Sequence, residues 1–149
     1  MRYAHTNIIS NDWKKLAEFY IKIFECKIVP PIRNQSGDWL SKGTGVNDAK
    51  LAGAHLLLPG HGENGPTLEI YQYGHVEQQD PISPNKRGFG HLAFEVESVE
   101  KILKKIESNG GKRNGEVTTR VVNGVGKITF VYARDPDGNL IELQSWEKD

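Results

Sequence analysis

The sequence repeats one pattern in its two halves, and this repetition limits the folds open to the chain. A short strand-forming run carries His5 in the first half and His91 in the second. An amphipathic helical pattern follows each run. Each half then closes with a run in which one glutamate lies between apolar residues, Glu69 in the first half and Glu142 in the second. The alternation of these patterns predicts the same order of elements twice.

The first half is predicted to fold as a strand, a helix and three further strands. Asn11 or Asp12 is placed to cap a helix of about a dozen residues, because apolar side chains recur behind it at helical spacing. Residues 34–50 are rich in Gly, Asn, Ser and Asp and are expected to be mostly loop around a short Trp39-Leu40 segment. The three strands are expected at residues 27–32, 51–58 and 67–73.

The second half repeats this order after a linker. Residues 74–88 hold glycines and prolines among charged and amide side chains, which is typical of a linker. Ser98 is the expected cap of the second helix, and Asn109-Gly110 is its expected left-handed stop. Three strands are expected to follow at residues 116–122, 127–133 and 139–146. The chain is therefore predicted to be a single α+β domain, 1–149, made of modules 1–73 and 89–149.

Composition excludes several classes of partner. Nineteen Lys and Arg balance nineteen Asp and Glu, so no net field attracts nucleic acid or an anionic membrane. No stretch approaches the roughly 20 apolar residues that span a bilayer. Cys26 is the single cysteine, which excludes an internal disulfide and fits a reducing compartment, and Met1 runs into a strand without an apolar leader. These features predict a cytoplasmic protein with neither nucleic acid nor membrane as partner.

Strand periodicity predicts that the two histidines and two glutamates lie on the sheet face opposite the helices. Side chains alternate between the faces of a strand, so His91 and Glu142 lie opposite the apolar residues that a helix would cover. The same counting applies to Glu69 and, with weaker alternation, to His5. All four are therefore expected on the sheet face that the helices leave open. If that face is a trough, as twisting of a sheet favours, the four side chains can converge.

Each of these residues has a simpler interpretation when it is taken alone. A histidine early in a strand is more often packed or at a solvent edge, and glutamates alternate with apolar residues in any half-exposed sheet. Their matched order in the two halves favours a shared site. His61 and His75 lie in glycine-rich loops and are interpreted as surface residues, whereas His55 lies within a strand and is a minor candidate.

Two imidazoles and two carboxylates suit a divalent metal ion of the set Zn, Ni, Co, Mn or Fe. Four protein ligands on a six-coordinate ion leave two adjacent positions for substrate oxygens. Such an ion polarises a carbonyl and stabilises an enediolate while a nearby carboxylate moves a proton. The cation would also remove the desolvation and repulsion of a buried glutamate pair.

These residues resemble the vicinal oxygen chelate superfamily, which includes glyoxalase I, methylmalonyl-CoA epimerase, extradiol dioxygenases, fosfomycin-resistance proteins and bleomycin-binding proteins. The resemblance covers nearly the whole chain. It implies paired βαβββ modules in a curved eight-stranded mixed sheet with helices on the convex side. It rests on four pieces: His5 leading to Asp12-Trp13 and Phe19-Tyr20, Leu68-Glu69-Ile70, residues 90–96, and residues 135–143, of which the last is the most specific.

The resemblance also implies metal ligands at His5, Glu69, His91 and Glu142, with Glu142 or Glu69 doubling as the proton-transferring base. The glyoxalase I pattern of His or Gln, Glu, His, Glu is met in full, which favours a glyoxalase-like lyase or isomerase. The alternatives that stay open are an epimerase, which commonly has Gln where this chain has Glu69, an extradiol dioxygenase, and a non-enzymatic binding or resistance protein.

The implied partner is a small-molecule substrate, for which a glutathione or coenzyme A thioester or hemithioacetal is one candidate. Such a substrate would need cations at the rim, and five loop residues are candidates: Arg33, Lys42, Lys50, Lys86 and Arg87. Solvated surface charge is the commoner role for each of them. Aromatic residues such as Trp39, Phe89 and Phe130 are more often plain packing. Resemblance to glyoxalase I favours a homodimer with shared sites.

Overall fold

The first half of the chain consists of a strand and a helix, followed by three further strands and a short second helix. The computed structural model describes residues 1–78 and 80–148. They divide into two compact units, unit 1 being Met1–Gln78 and unit 2 following it. The elements of unit 1 are β1 His5–Ile9, α1 Trp13–Phe24, β2 Lys27–Ser36, α2 Asp38–Thr44, β3 Lys50–Leu57 and β4 Thr67–Tyr73.

Unit 2 repeats the strand, helix and three strands of unit 1, with one short strand added and without a counterpart of α2 among the described residues. The predicted strand, helix and three strands are all present, and a two-residue strand, β6, is added after the helix. The elements are β5 Leu92–Glu95, α3 Val99–Ser108, β6 Lys112–Arg113, β7 Thr118–Val122, β8 Gly126–Arg134 and β9 Leu140–Glu147. The repeated α+β order predicted from the sequence is therefore confirmed.

The two long helices begin where the sequence indicates. The Asp12 carboxylate accepts a hydrogen bond from the Lys15 amide at 3.1 Å, and the Ser98 hydroxyl accepts one from the Lys101 amide at 3.4 Å. Both bonds satisfy amides that the first helical turn leaves without a partner. At the end of α3 the predicted left-handed stop falls on Gly110 alone, since Asn109 has a φ of −122°.

Each sheet joins the first strand of its unit to the last. In unit 1 the strand order is β1-β4-β3-β2, with β1 and β4 parallel and the other pairs antiparallel. In unit 2 the order is β5-β9-β8-β6, with β5 and β9 parallel and β7 paired to β8. The histidine-bearing segment of each unit therefore lies beside the strand that carries its glutamate.

The apolar face of each sheet is fully buried against a helix. Leu56, Leu68 and Ile70 have no exposed surface in unit 1, where α1 packs on β3 and β4. Ile141 and Leu143 are equally buried in unit 2, where α3 packs on β8 and β9. Burying such a side chain contributes about 1.5–3 kcal/mol relative to exposure, so this face fixes the strand register.

One region of unit 1 differs from the sequence prediction. The second strand continues to Ser36, past the register shift between Val29 and Arg33, and a two-turn helix, α2, occupies much of the predicted loop. Leu40 of this helix is buried against Leu51, beside Tyr71. The Glu69 face of unit 1 is therefore covered by a helix at one end, contrary to the expectation that helices leave it open.

Among the residues that the structure describes, no helix is long and apolar enough to cross a membrane. Cys26 is a buried free thiol, and burial raises its pKa to about 12.

Gly53 in β3 is expected to tolerate no side chain. A Cβ there would come within 2.1 Å of the Ile70 carbonyl oxygen and 2.4 Å of the Tyr71 ring. Because backbone must shift to relieve this overlap, we expect Gly53→Ala to lower the free energy of unfolding by about 1–3 kcal/mol. Urea denaturation measures the change. The matched control is Gly43→Ala in α2, where a Cβ meets nothing within 4 Å and stability should stay equal or rise by up to about 1 kcal/mol. Equal stabilities for the two variants would contradict the packing described.

Candidate active site

Glu69 is the centre of a polar cluster in unit 1. One carboxylate oxygen, Oε1, lies 3.5 Å from Nδ1 of His5 and 3.0 Å from Nε2 of His55. The other oxygen, Oε2, accepts a hydrogen bond from Nδ2 of the Asn7 side chain at 3.4 Å. Only 10% of the Glu69 side chain is exposed, so these groups replace most of the water that would otherwise surround the carboxylate.

The register of the strands explains this cluster. Asn7 of β1 and His55 of β3 are both direct partners of Glu69 in β4. Directly paired residues project to the same face of a sheet, so three strands bring polar side chains to one place. His5 pairs with Thr67, two residues before Glu69, and therefore reaches the carboxylate diagonally.

His55 is more closely involved than its sequence context indicates. Besides Glu69, its Nε2 lies 2.8 Å from the Tyr71 hydroxyl, and its Nδ1 lies 3.4 Å from the Thr67 hydroxyl. Burial lowers the pKa of His55, and the Glu69 carboxylate opposes that shift. Burial and Glu69 together raise the pKa of Tyr71. His55 was predicted only as a minor candidate within a strand, and the period-two alternation of β3 is the signal that could have placed it on this face.

Unit 2 contains the second predicted pair. Nε2 of His91 lies 2.8 Å from Oε2 of Glu142, with 30% and 16% of the two side chains exposed. His91 directly precedes β5, whose next residues pair with the Glu142 region of β9. The Tyr132 ring lies 4.8 Å from the His91 ring, and burial and then Glu142 raise the pKa of the Tyr132 hydroxyl.

The imidazole nitrogens and carboxylate oxygens of the two units are chemically suited to bind a divalent cation. In each unit an imidazole nitrogen and a carboxylate oxygen already face each other at hydrogen-bond or near hydrogen-bond distance. A cation held by nitrogen and oxygen donors would take the place of the proton between them. Within residues 1–78 and 80–148, no three or more His, Cys, Asp or Glu side chains are arranged as a metal site. The structure thus provides a His–Glu pair in each unit, and the four-ligand site stays a prediction.

Comparison with known proteins identifies the family. The Glyoxalase/Bleomycin resistance protein/Dioxygenase superfamily matches residues 2–143. The chain belongs to this vicinal oxygen chelate superfamily. The predicted fold class is thereby confirmed, with nine strands described in place of eight because β6 is added.

Known superfamily members resemble the chain over most of its length. A lactoylglutathione lyase from Schizosaccharomyces pombe is 29% identical over 155 residues, which cover 95% of this chain and 46% of that protein. The chain spans about half the length of the curated lactoylglutathione lyases it matches. The activity of those longer proteins is therefore not transferred to this chain by similarity alone.

Two solved structures illustrate the shared fold. A glyoxalase family protein from Bacillus cereus superposes with a TM-score of 0.82 at 19% identity, covering 98% of this chain and 94% of the other. The fosfomycin resistance protein FosX from Listeria monocytogenes, solved with Mn(II) and sulfate, gives a TM-score of 0.54 at 18% identity, with 97% and 91% covered. At these identities the likeness concerns the fold.

The predicted rim cations and aromatic residues lie in different surroundings. Arg33 is half-buried, donates a hydrogen bond to the Pro31 carbonyl oxygen, and opposes the rise in the pKa of Tyr71. Lys86 forms an ion pair with Asp80 at 3.7 Å, as a solvated surface charge would. Trp39 and Phe89 are largely exposed. The cytoplasmic location and the homodimer stay predictions.

Proposed function

We propose that this protein is a metal-dependent glyoxalase I-like lyase or isomerase, with His5, Glu69, His91 and Glu142 as the metal ligands. The observation that carries the proposal is the matched His–Glu pair at equivalent strand positions of both units. Burying a carboxylate costs free energy unless hydrogen bonds, an opposite charge or a bound cation compensate for the lost water. Membership of the superfamily and the similarity to a lactoylglutathione lyase support the same chemistry.

The two glutamates have different surroundings, which supports different roles. Asn7 and His55 hold Glu69 in addition to His5, so its carboxylate has little freedom to move. Glu142 contacts His91 at 2.8 Å, and it also interacts electrostatically with the Tyr132 hydroxyl, whose pKa it raises. We therefore assign Glu142 as the proton-transferring base and Glu69 as a fixed ligand.

A bound divalent ion would supply Lewis acidity for two neighbouring substrate oxygens. His5, Glu69, His91 and Glu142 would hold it, and His91 also orients Glu142. Glu142 takes the proton from the carbon next to the substrate carbonyl and returns it to the neighbouring carbon. Its limited exposure keeps bulk water from exchanging that proton freely.

A direct assay tests the function. Protein loaded with Zn, Ni, Co or Mn should convert the hemithioacetal of glutathione and methylglyoxal into a thioester, and a chelator should remove the activity. Formation of the thioester absorbance is the measurement. Bound metal without turnover, or oxygen uptake with a catechol in place of thioester formation, would contradict the proposed reaction.

A further inference from the structure

The most specific motif of the chain, residues 135–143, opens with a turn to which the proposed mechanism gives no role. β8 ends at Arg134 and β9 begins at Leu140, so residues 135–139 join the two strands. Asp135, the first residue of this turn, is only 2% exposed. Burying a carboxylate costs free energy unless hydrogen bonds compensate for the lost water, so its contacts indicate its purpose.

The Asp135 carboxylate closes this turn through three hydrogen bonds. Its Oδ1 accepts one from the Asp137 backbone amide at 3.0 Å and one from the Asn139 backbone amide at 2.9 Å. Its Oδ2 accepts one from Nδ2 of the Asn139 side chain at 2.8 Å. The Asp135 amide in turn donates to the Asn139 carbonyl oxygen at 3.0 Å. Three of these four bonds therefore join Asp135 to Asn139, the residue directly before β9.

The neighbouring Arg134 ties the same turn to two other segments of unit 2. Its Nη1 donates a hydrogen bond to the Gly138 carbonyl oxygen at 2.8 Å. Its Nε donates to Oδ1 of Asn114 at 2.8 Å, and its Nη2 donates to the Ile82 carbonyl oxygen at 2.6 Å. Asn114 follows β6, and Ile82 lies in the segment that leads to His91. Each nitrogen of the guanidinium thus has an acceptor within unit 2, which suits a residue that fixes the backbone.

The matching turn of unit 1 has no such framework. β3 and β4 are joined by residues 58–66, which include Gly60, Gly62 and Gly65. Backbone hydrogen bonds join Leu58 to Pro66 and Gly65 to Gly62, but no side chain of residues 58–66 hydrogen-bonds to the backbone of this turn. Since both turns connect the same pair of strands in the repeat, the fold itself does not require the framework of unit 2.

The two glutamates differ in the opposite way. Glu69 is held by polar side chains on both of its direct strand partners. The direct strand partners of Glu142 are Ala93 and Tyr132. Ala93 has no polar side chain, and within residues 80–148 no hydrogen bond joins the Tyr132 hydroxyl to Glu142. Apart from its contact with His91, the place of the Glu142 carboxylate therefore depends on where the backbone of β9 lies.

We propose that Asp135 and Arg134 are positioning residues for Glu142, because they fix the backbone at the start of β9. The inference rests on the proposed function, in which Glu142 is the base, and adds two residues to it. Glu142 is the third residue of β9, so a displaced turn would move its carboxylate. Proton transfer needs hydrogen-bond distance, and misplacement by about 1 Å can lower the rate about 100-fold.

Reversing the hydrogen bond between the side chains of Asp135 and Asn139 tests the proposal. Asp135→Asn keeps the oxygen that accepts the two backbone amides but sets one amide group against the other, so the bond at 2.8 Å is lost. Adding Asn139→Asp restores it with donor and acceptor exchanged. We expect Asp135→Asn to lower kcat for the hemithioacetal about 10- to 100-fold with KM nearly unchanged, and the double variant to recover most of the loss.

Leu103→Ala is the matched control for loss of stability. Leu103 is a buried residue of α3, which packs on the sheet face opposite Glu142. It should lower the melting temperature while kcat, measured below the transition, is retained. Unchanged kcat in Asp135→Asn, no recovery in the double variant, or an equal kcat loss in Leu103→Ala would overturn the positioning role. If Asp135→Asn does not fold, Arg134→Lys makes the same test, because one ammonium nitrogen cannot span three acceptors.

Amide hydrogen exchange of the metal-free protein separates this inference from the proposed reaction, because it needs no substrate. Asp135→Asn should speed exchange at residues 140–143, the double variant should reverse the change, and Leu103→Ala should speed exchange throughout unit 2. This pattern, without thioester formation by the unchanged protein, would retain the role of the turn in placing Glu142 and reject the lyase. Thioester formation with the same kcat in Asp135→Asn would retain the lyase and reject the positioning role.

Discussion

Glu142→Gln is expected to lower kcat for the hemithioacetal by about 100- to 10,000-fold, the range typical for loss of a general base. The amide keeps the shape of the side chain and can still contact His91, which lies 2.8 Å from the carboxylate. It cannot accept the proton from substrate. The melting temperature of the metal-free protein should therefore change little while turnover is lost. Steady-state kinetics and thermal melting of the same preparation measure the two effects.

Glu147→Gln is the matched control for this variant. Glu147 lies on the same strand, but it is exposed and pairs with Lys127 at 3.1 Å. Exposed ion pairs of this kind contribute about 0–1 kcal/mol, so the control should retain both activity and stability. Unchanged turnover in Glu142→Gln would reject Glu142 as the base.

Metal binding is expected to raise the melting temperature. A cation that binds only the folded chain stabilises it by about 2.7 kcal/mol at a concentration of 100 times its dissociation constant. For a chain of this size the increase is roughly 5 to 10 °C. Melting curves with chelator and with added Ni or Zn measure the shift, and elemental analysis gives the amount bound. This measurement does not depend on knowing the substrate.

The histidines provide the controls for the metal effect. His91→Ala should remove most of the shift, because it deletes a predicted ligand. His61→Ala and His75→Ala should retain it, since both residues are exposed in loops. A shift that survives in His91→Ala and disappears in His61→Ala would place the metal elsewhere.

Much of the fold could be predicted because its signals are local. The caps at Asp12 and Ser98 and the alternation in β4 and β9 each depend on a few consecutive residues. The helix α2 was missed because Ser, Gly and Thr in the segment 38–44 are weak helix formers. Its position depends on Leu40, which packs against Leu51. That contact forms only in the folded unit and cannot be inferred from the local sequence.

The candidate site was predictable to a similar extent. Alternation along each strand identified the face of Glu69 and Glu142, and the repeat identified their histidines. The contacts of Asn7 and His55 with Glu69 could not be derived in this way, because they depend on which residues are paired across strands. A shift of one residue would place His55 on the opposite face. The position of the Tyr71 ring likewise depends on the absence of a side chain at Gly53, where a Cβ would come within 2.4 Å of the ring.

The parallel pairing of the first and last strands has a consequence for how activity arises. In each unit the histidine lies near the start of the module and the glutamate near its end, so almost the entire module separates them in the sequence. Bringing the two ends of so long a segment together costs conformational entropy and slows folding. The two side chains meet only when the first and last strands of the module are paired. Catalytic competence would then appear only when a module has finished folding, so an immature chain would hold its reactive groups apart.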